Sequence, residues 1–345
     1  MIYVNNLRKW LSISLLISAI SIVLVMVYTI DPQTLDLIHN IRPEFLLAAV
    51  VLHLSSFIFW GLRTRSMCGS LGFKVGISRS IEIVTSSTFL ASVTPSSIGG
   101  EPLRIHLLNQ DDVPVGSATA VVLGERLLDG ILIMMAAPVA LHLFRRAISI
   151  SGLDIVIMAG ELGLVFVFMV VLYAVWHPHQ TRKALKFLLH RIAGFLGKGE
   201  DPRLDRVMGK MDMIIEDFHY SMAFFVTKGH KGLLFGSIYT ILFWLVEFAM
   251  VPVILMGLNQ PPSILISFAA QVLLMILLVI PLTPGSSGVA ELGATSLFSV
   301  FVPAYMVGIV VVAWRVFTLY MNLIVGGFVS FKILKDTDYI RNMMK

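Results

Sequence analysis

Six long, predominantly apolar runs dictate what this chain can become: Trp10–Ile30, Phe45–Leu62, Val115–Phe144, Leu153–Trp176, Gly232–Leu258 and Pro303–Phe331. Each reaches or approaches the ~20 residues that a helix needs to cross a bilayer. Inside hydrocarbon the backbone must satisfy its own polar groups, and continuous rather than alternating apolar runs do so as helices. The expected class is all-α, a polytopic integral membrane protein. Charge agrees, since only 14% of the 345 residues are charged, against about 25% in soluble domains. The first run follows Arg8 and Lys9 and lacks a small-x-small cleavage site, so it reads as an uncleaved span. The single cysteine, Cys68, allows no intrachain disulfide and reads as a packing residue.

Two further apolar stretches, about 81–108 and 264–301, are broken near their middles. The first is interrupted by "TPSSIGGEPLR" (94–104), the second by "TPGSSGVAEL" (283–292). The positive-inside rule decides how they run. Arg8 and Lys9 place the N-terminus in the cytoplasm; Arg63, Arg65, Lys74 and Arg79 place the second connection there. Ten lysines and arginines between His177 and Lys231 keep that connection inside, and Lys332, Lys335, Arg341 and Lys345 do so for the C-terminus. Arg145 and Arg146 are the exception. Parity then requires each broken stretch to enter and leave on one side, the two on opposite sides. Each is expected to be a re-entrant hairpin, in halves spanning 1–176 and 232–345, joined by a cytoplasmic amphipathic connection over 177–231. In that connection Leu185, Leu188, Leu189, Ile192, Phe195 and Leu196 recur at helical spacing, as do Leu204, Val207, Met208, Met211, Ile214, Ile215 and Phe218.

The halves share residues as well as parity. Thr94, Pro95, Ser97 and Gly99 match Thr283, Pro284, Ser286 and Gly288 at one offset (284 − 95 = 189), and Arg126 matches Arg315 at the same one (315 − 126 = 189). Glu101 and Glu291 miss it by one residue. Inverted-topology repeats with discontinuous helices are a recurring transporter plan. Proline and the adjacent Gly99 and Gly100 interrupt a helix. Ser96 or Ser97 is placed to cap the one that restarts, and its free N–H groups suit an anion such as a lipid phosphate. Ser286 and Ser287 precede Gly288 in the same way.

Charge at membrane depth marks function. In "GERLLDG" (124–130), Arg126 and Asp129 lie three apart on one helical face, with Glu125 beside them. Arg315 has no acidic neighbour in its own span, so its partner is Glu101, Glu291 or a bound anion. Glu82, Glu161 and Glu247 are further candidates. No H-E-x-x-H, G-x-S-x-G or Walker loop occurs, and "HPH" (177–179) reads as a helix boundary. The "DTD" of 336–338 sits in a tail too short for a nucleotide-binding domain. The chain is expected to be no enzyme, with no cofactor or metal and no nucleic-acid partner. Transport would run downhill or on an ion gradient, with Glu101, Glu291 or Asp129 as candidate proton carriers.

"TPSSIGGEPLR", "GERLLDG", "PLTPGSSGVAELG" and "AWRVFTLY" together resemble the flippase-like membrane domain family, the transmembrane region of lysylphosphatidylglycerol synthases in its stand-alone form. The resemblance covers about residues 10–335. It implies a multi-pass protein of the cell membrane that translocates or binds an anionic lipid, of phospholipid or polyisoprenyl-phosphate type. The alternative is an accessory protein that presents lipid to a separate glycosyl- or aminoacyltransferase; a small-solute transporter is a third reading. Aminoacylation itself is not expected, because the sequence ends at Lys345 without the synthases' soluble domain. The expected headgroup site comprises Pro95, Ser97, Gly99, Gly100, Glu101, Arg126 and Asp129, with Pro284, Ser286, Gly288, Glu291 and Arg315 from the other half.

Overall fold

The computed structural model describes residues 16–27, 40–94, 99–145, 202–278, 283 and 285–343, with position 12 and isolated positions between 155 and 187. Pro95, Ser97, Pro284 and Glu161, most of the expected span Leu153–Trp176 and of residues 177–201, and the ends of the expected span Trp10–Ile30 lie outside the described residues. Every described element is helical. In chain order they are α1 (Leu16–Val27), α2 (Pro43–Ser70), α3 (Ile77–Val93), α4 (Gly100–Gln110), α5 (Val115–Arg145), α6 (Pro202–Thr227), α7 (His230–Gly257), α8 (Ile264–Leu278), α9 (Val289–Phe298), α10 (Ala304–Arg315), a π-turn (Val316–Tyr320) and α11 (Met321–Met343). Among the described residues, four segments are long and apolar enough to cross a membrane: Pro43–Ser70, Val115–Phe144, His230–Gly257 and Ala304–Ile333. Their outer faces carry exposed Val51, Met135, Ile241 and Phe328, the pattern of helices solvated by lipid rather than water.

The central pair is α2 against α7, running antiparallel. At one end the Arg42 N–H donates to the Gly257 carbonyl (2.9 Å) and the Asn259 side chain donates to the Asn40 carbonyl (2.7 Å). At the other end Gly232 lies against Ser70, with no room for a Cβ between them. α3 and α4 form the first hairpin. Its outer ends close together through Arg79 Nε and Asp111 Oδ2 (2.9 Å), beside the Ser70 end of the central pair. α8 and α9 form the second hairpin, whose arms pack through Gly293 against Leu274 and Leu277. It leaves the Gly257 end of the pair. The hairpins therefore enter from opposite ends of α2 and α7. Their tips meet: the Gly285 N–H donates to the Thr94 carbonyl (3.3 Å).

The order of helix, hairpin, helix recurs in register. The starts of α7, α8, α9 and α10 follow those of α2, α3, α4 and α5 by 187, 187, 189 and 189 residues (230 − 43, 264 − 77, 289 − 100, 304 − 115). The two-residue difference falls within the second hairpin, between the start of its first arm and the start of its second. The described residues form two apolar clusters. One packs α7 to α10 through Met250, Leu273, Leu297 and Val310 and takes in Ala49 of α2 and Ala137 and Phe144 of α5; the other holds Met67, Cys68, Ile83, Leu108 and Val121 with Phe225 of α6. Cys68 is buried as a packing residue. α6 lies along α5 rather than apart from the bundle, with Ser221 Oγ donating to Ser117 Oγ (2.9 Å) and Met222 and Phe225 buried.

One sequence expectation is corrected here. Arg63 was counted among loop charges, but α2 continues past it to Ser70 and buries its side chain to 1% exposure. Nothing in "GLRTRSMCGS" stops a helix: there is no proline, and the glycines flank rather than split it.

Candidate functional site

The polar interior of the first half is built from spacing. Trp60, Arg63 and Thr64 share one face of α2; Glu101 and Arg104 share a face of α4; Glu125 and Asp129 stand one turn apart on α5. These faces converge. Glu125, wholly buried, accepts from Trp60 Nε1 (2.9 Å), Thr64 Oγ1 (2.7 Å), Arg63 Nη2 (3.3 Å) and, in the shortest contact, Arg104 Nη2. Asp129 accepts from Arg63 Nη1 (2.7 Å), Trp244 Nε1 of α7 (2.9 Å) and Arg126 Nη1 (3.4 Å). Arg126 in turn forks onto Glu101 Oε1 through Nε (2.9 Å) and Nη2 (2.6 Å).

Three arginines thus meet three carboxylates, and the cluster is neutral as a whole. That neutrality is what permits such a group at membrane depth, where an unpaired charge costs several kcal/mol. Trp60 is its hub. The Arg63, Arg104 and Arg126 guanidinium carbons lie 5.7, 5.1 and 5.7 Å from its ring centroid, within cation–π range. Arg63 Nε and Arg104 Nε and Nη1 make no hydrogen bond among the described residues, so the ring is their main compensation.

Arg126 differs from the other two. Its side chain is 43% exposed and that of Glu101 is 25% exposed, whereas Arg63 and Arg104 are 1% exposed. The cluster therefore has a sealed base (Arg63, Arg104, Glu125) and an accessible rim (Glu101, Arg126). The rim pairs the first turn of α4, which lies within the interrupted motif, with Arg126 of α5.

The second half holds a smaller, closed counterpart. Glu291, wholly buried on α9, accepts from Arg315 Nε (2.8 Å), from Ser18 Oγ of α1 (2.8 Å) and from the Gly288 N–H (2.6 Å). Arg315 Nη2 reaches the Gly285 carbonyl and Ser287 Oγ, both at 3.4 Å. Of the partners considered for Arg315, the structure selects Glu291. Its side chain is 5% exposed, so it faces no open cavity. Arg126 and Arg315 occupy matching places in their halves but unlike surroundings.

The glycines also depart from expectation. Gly99 is the N-cap of α4 in ordinary right-handed geometry, and its N–H is taken by Thr94 Oγ1 (3.0 Å), not left free; Ser96 and Ser97 lie outside the described residues. A Cβ on Gly99 would stand 2.6 Å from Thr94 Cγ2. Gly288 sits at φ +88, ψ −59, close to the γ-turn conformation that residues with a Cβ adopt only under strain. Alanine at either position is therefore destabilising. Ser286 also lies at positive φ, 53°, and makes the turn rather than a cap. Gly100 abuts the Ser87 carbonyl, 3.0 Å from where its Cβ would be, and so fixes the close crossing of α3 and α4.

Sequence reasoning passed over Trp60, Arg63 and Arg104. Arg104 ends the "TPSSIGGEPLR" motif three residues after Glu101, and that spacing was the available signal. Among the described residues no group of three or more His, Cys, Asp or Glu side chains is arranged to hold a metal ion.

The transmembrane region of lysylphosphatidylglycerol synthases, as a family, matches residues 11–326. A UPF0104 membrane protein of Archaeoglobus fulgidus is 30% identical over 333 residues, covering 96% of this chain and 99% of that protein. Another, of Methanocaldococcus jannaschii, is 22% identical over 330 residues, with 95% and 96% covered. No solved structure matches the chain. Matched over nearly its whole length, the chain belongs to the family of the lysylphosphatidylglycerol synthase transmembrane region.

Proposed function

We propose that this protein binds the headgroup of an anionic lipid at the Arg126–Glu101 rim and moves that lipid between leaflets. The observation that carries the reading is the half-exposed guanidinium of Arg126 at membrane depth, beside the junction of two opposed hairpins. An arginine fork suits a phosphate, which can displace Glu101 and take both of its hydrogen bonds. The sealed base below supplies positive charge without being consumed. Opposed hairpins in register support an inverted repeat, in which exposing Arg315 while burying Arg126 would present the headgroup to the other side. In this reading the protein is a transporter rather than an enzyme, and the domain division follows the two halves.

The test uses purified protein in vesicles of zwitterionic phospholipid containing a fluorescent phosphatidylglycerol. Wild type is expected to exchange the probe between leaflets. Arg126→Ala should reduce exchange by at least tenfold while leaving folded protein, because its side chain is already half exposed. Exchange that survives in Arg126→Ala overturns the site. Probe binding without exchange in wild type would instead favour the accessory reading, presentation of lipid to a separate transferase.

The orientation proposed is cytoplasmic for both termini, with the first hairpin opening inward and the second outward. Single cysteines at Gln110 and Gln260 in a Cys68→Ser background should label from the cytoplasm and the exterior respectively. Labelling of both from one side would contradict the parity on which the inverted repeat rests.

A further inference from the structure

A third polar group lies apart from both clusters. His53 of α2 faces Glu247 of α7, with Nδ1 3.3 Å from Glu247 Oε1, and its Nε2 is 3.1 Å from Asn322 Oδ1 of α11. His53 follows Pro43 by ten residues (53 − 43) and Glu247 precedes Gly257 by ten (257 − 247). At 1.5 Å per residue each lies ~15 Å from the same end of the central pair, near the middle of a hydrocarbon core about 30 Å thick.

The charge balance of this group is unlike that of the others. Glu101, Asp129 and Glu291 each hold an arginine. A carboxylate with a permanent cation gains nothing from a proton, which would leave that cation unbalanced. Among the described residues, His53 and Glu247 have no such cation. Among the same residues, the elements packed on α2 and α7 at this level present groups that are neutral or already matched. α11 gives the Asn322 amide, and on α3 the charged Arg79 and Glu82 are matched by Asp111 and Lys332. α8 gives Gln271, which donates to the Phe248 carbonyl (2.7 Å). α5 gives Asp129, already held by Arg63 and by Trp244 one turn from Glu247. On α10, Arg315 is matched by Glu291, and in the π-turn Tyr320 is within hydrogen-bonding distance of Ser18 (3.3 Å). With neutral imidazole and ionised carboxylate the pair carries one uncompensated negative charge at mid-depth. One proton, on either partner, makes it neutral overall. A single proton between the two would balance the site, and Glu247, whose side chain keeps 17% exposure against 3% for His53, is the side nearer to water.

The π-turn connects this group to the second cluster. It begins immediately after Arg315 and ends two residues before Asn322. Tyr320, within it, touches Ser18, which also donates to Glu291. A π-turn carries an extra residue that a helix can absorb or expel, and such turns concentrate at functional positions. Releasing Asn322 from His53 frees one side of that turn; the Arg315–Glu291 latch holds the other.

We propose that His53, Glu247 and Asn322 form a proton-binding site, linked across the π-turn to the Arg315–Glu291 latch, through which a transmembrane proton gradient drives lipid movement. The drive rests on the translocation reading above; the proton site itself does not. One proton neutralises one singly charged headgroup, so the coupled step moves no net charge. At one proton per lipid, each pH unit of gradient sustains about a tenfold leaflet asymmetry.

Two measurements on the full chain separate the claims. Infrared titration of the purified protein should show one protonation event that is missing from Glu247→Gln and altered in His53→Gln. In vesicles with fluorescent phosphatidylglycerol, wild type should build the tenfold asymmetry per pH unit. Glu247→Gln should build none, while retaining as much bound probe as wild type because the Arg126 rim is intact. An unchanged titration in Glu247→Gln overturns the proton site. Wild-type exchange that ignores the gradient overturns the coupling and leaves translocation standing. Wild type that titrates at Glu247 but moves no probe overturns translocation and the coupling together.

Discussion

Glu125→Ala is expected to remove most folded protein from the membrane, the largest effect of any single change in the first half. Glu125 accepts from two arginines, a threonine and a tryptophan, and none of its surface is exposed. Alanine leaves Arg63 and Arg104 buried with one carboxylate, Asp129, which reaches only Arg63. Breaking a buried pair by removing one partner costs about 3–5 kcal/mol. Here two cations lose a shared partner, so the cost lies at or above that range, comparable to the ~5–15 kcal/mol that holds a typical domain together. Glu125→Gln is the informative companion. It keeps an acceptor for Trp60 and Thr64 but not the charge, so a large loss in Gln as well as Ala identifies charge balance as the cause. Thermal unfolding of detergent-purified protein measures both. Wild-type stability in Glu125→Ala would mean that water reaches Arg63 and Arg104, and the sealed base would have to be given up.

Such a cluster is only partly readable in one dimension. Glu125, Arg126 and Asp129 announce themselves because an apolar run should contain no charge, and the hairpins because glycine and proline break such runs in pairs. The limits of α5, α7 and the α8–α9 hairpin are legible to within a few residues from apolar length alone. Arg63 is not. A charge near the end of an apolar run looks the same whether it caps the run in water or turns inward against a carboxylate 62 residues away. The choice depends on Glu125 being there to receive it, a tertiary fact. Arg104 is hidden for the same reason, inside a motif whose glycines draw the attention. The glycines themselves were misread. Their backbone freedom is real at Gly288, where φ is positive, but Gly99 is required for the space that Thr94 fills. His53 gave no signal at all: a lone histidine in an apolar run gains meaning only from Glu247 and Asn322 on distant helices.

Arg315→Ala should be nearly as damaging as Glu125→Ala, but for the opposite charge, and it can be rescued. The change strands the Glu291 carboxylate, wholly buried, with only Ser18 and the Gly288 N–H to stabilise it. Both donors are already engaged in the wild type, so they offset none of the roughly 3–5 kcal/mol that removing one partner of a buried pair costs. Because the pair is buried, the expected outcome is a loss of both lipid movement and folded protein. The double variant Arg315→Ala, Glu291→Gln removes the uncompensated charge while its amide oxygen still accepts from Gly288. It should therefore be more stable than Arg315→Ala alone, with a coupling energy of about 1–3 kcal/mol in the double-mutant cycle. The double variant then becomes the clean functional probe. If Arg315 serves only to neutralise Glu291, the folded double variant exchanges lipid at the wild-type rate. If its guanidinium must meet a headgroup when the second hairpin opens, exchange is lost although the fold is restored. A single Arg315→Ala variant as stable as wild type would show that the pair does not hold the hairpin tip, and the latch assigned to it would fall.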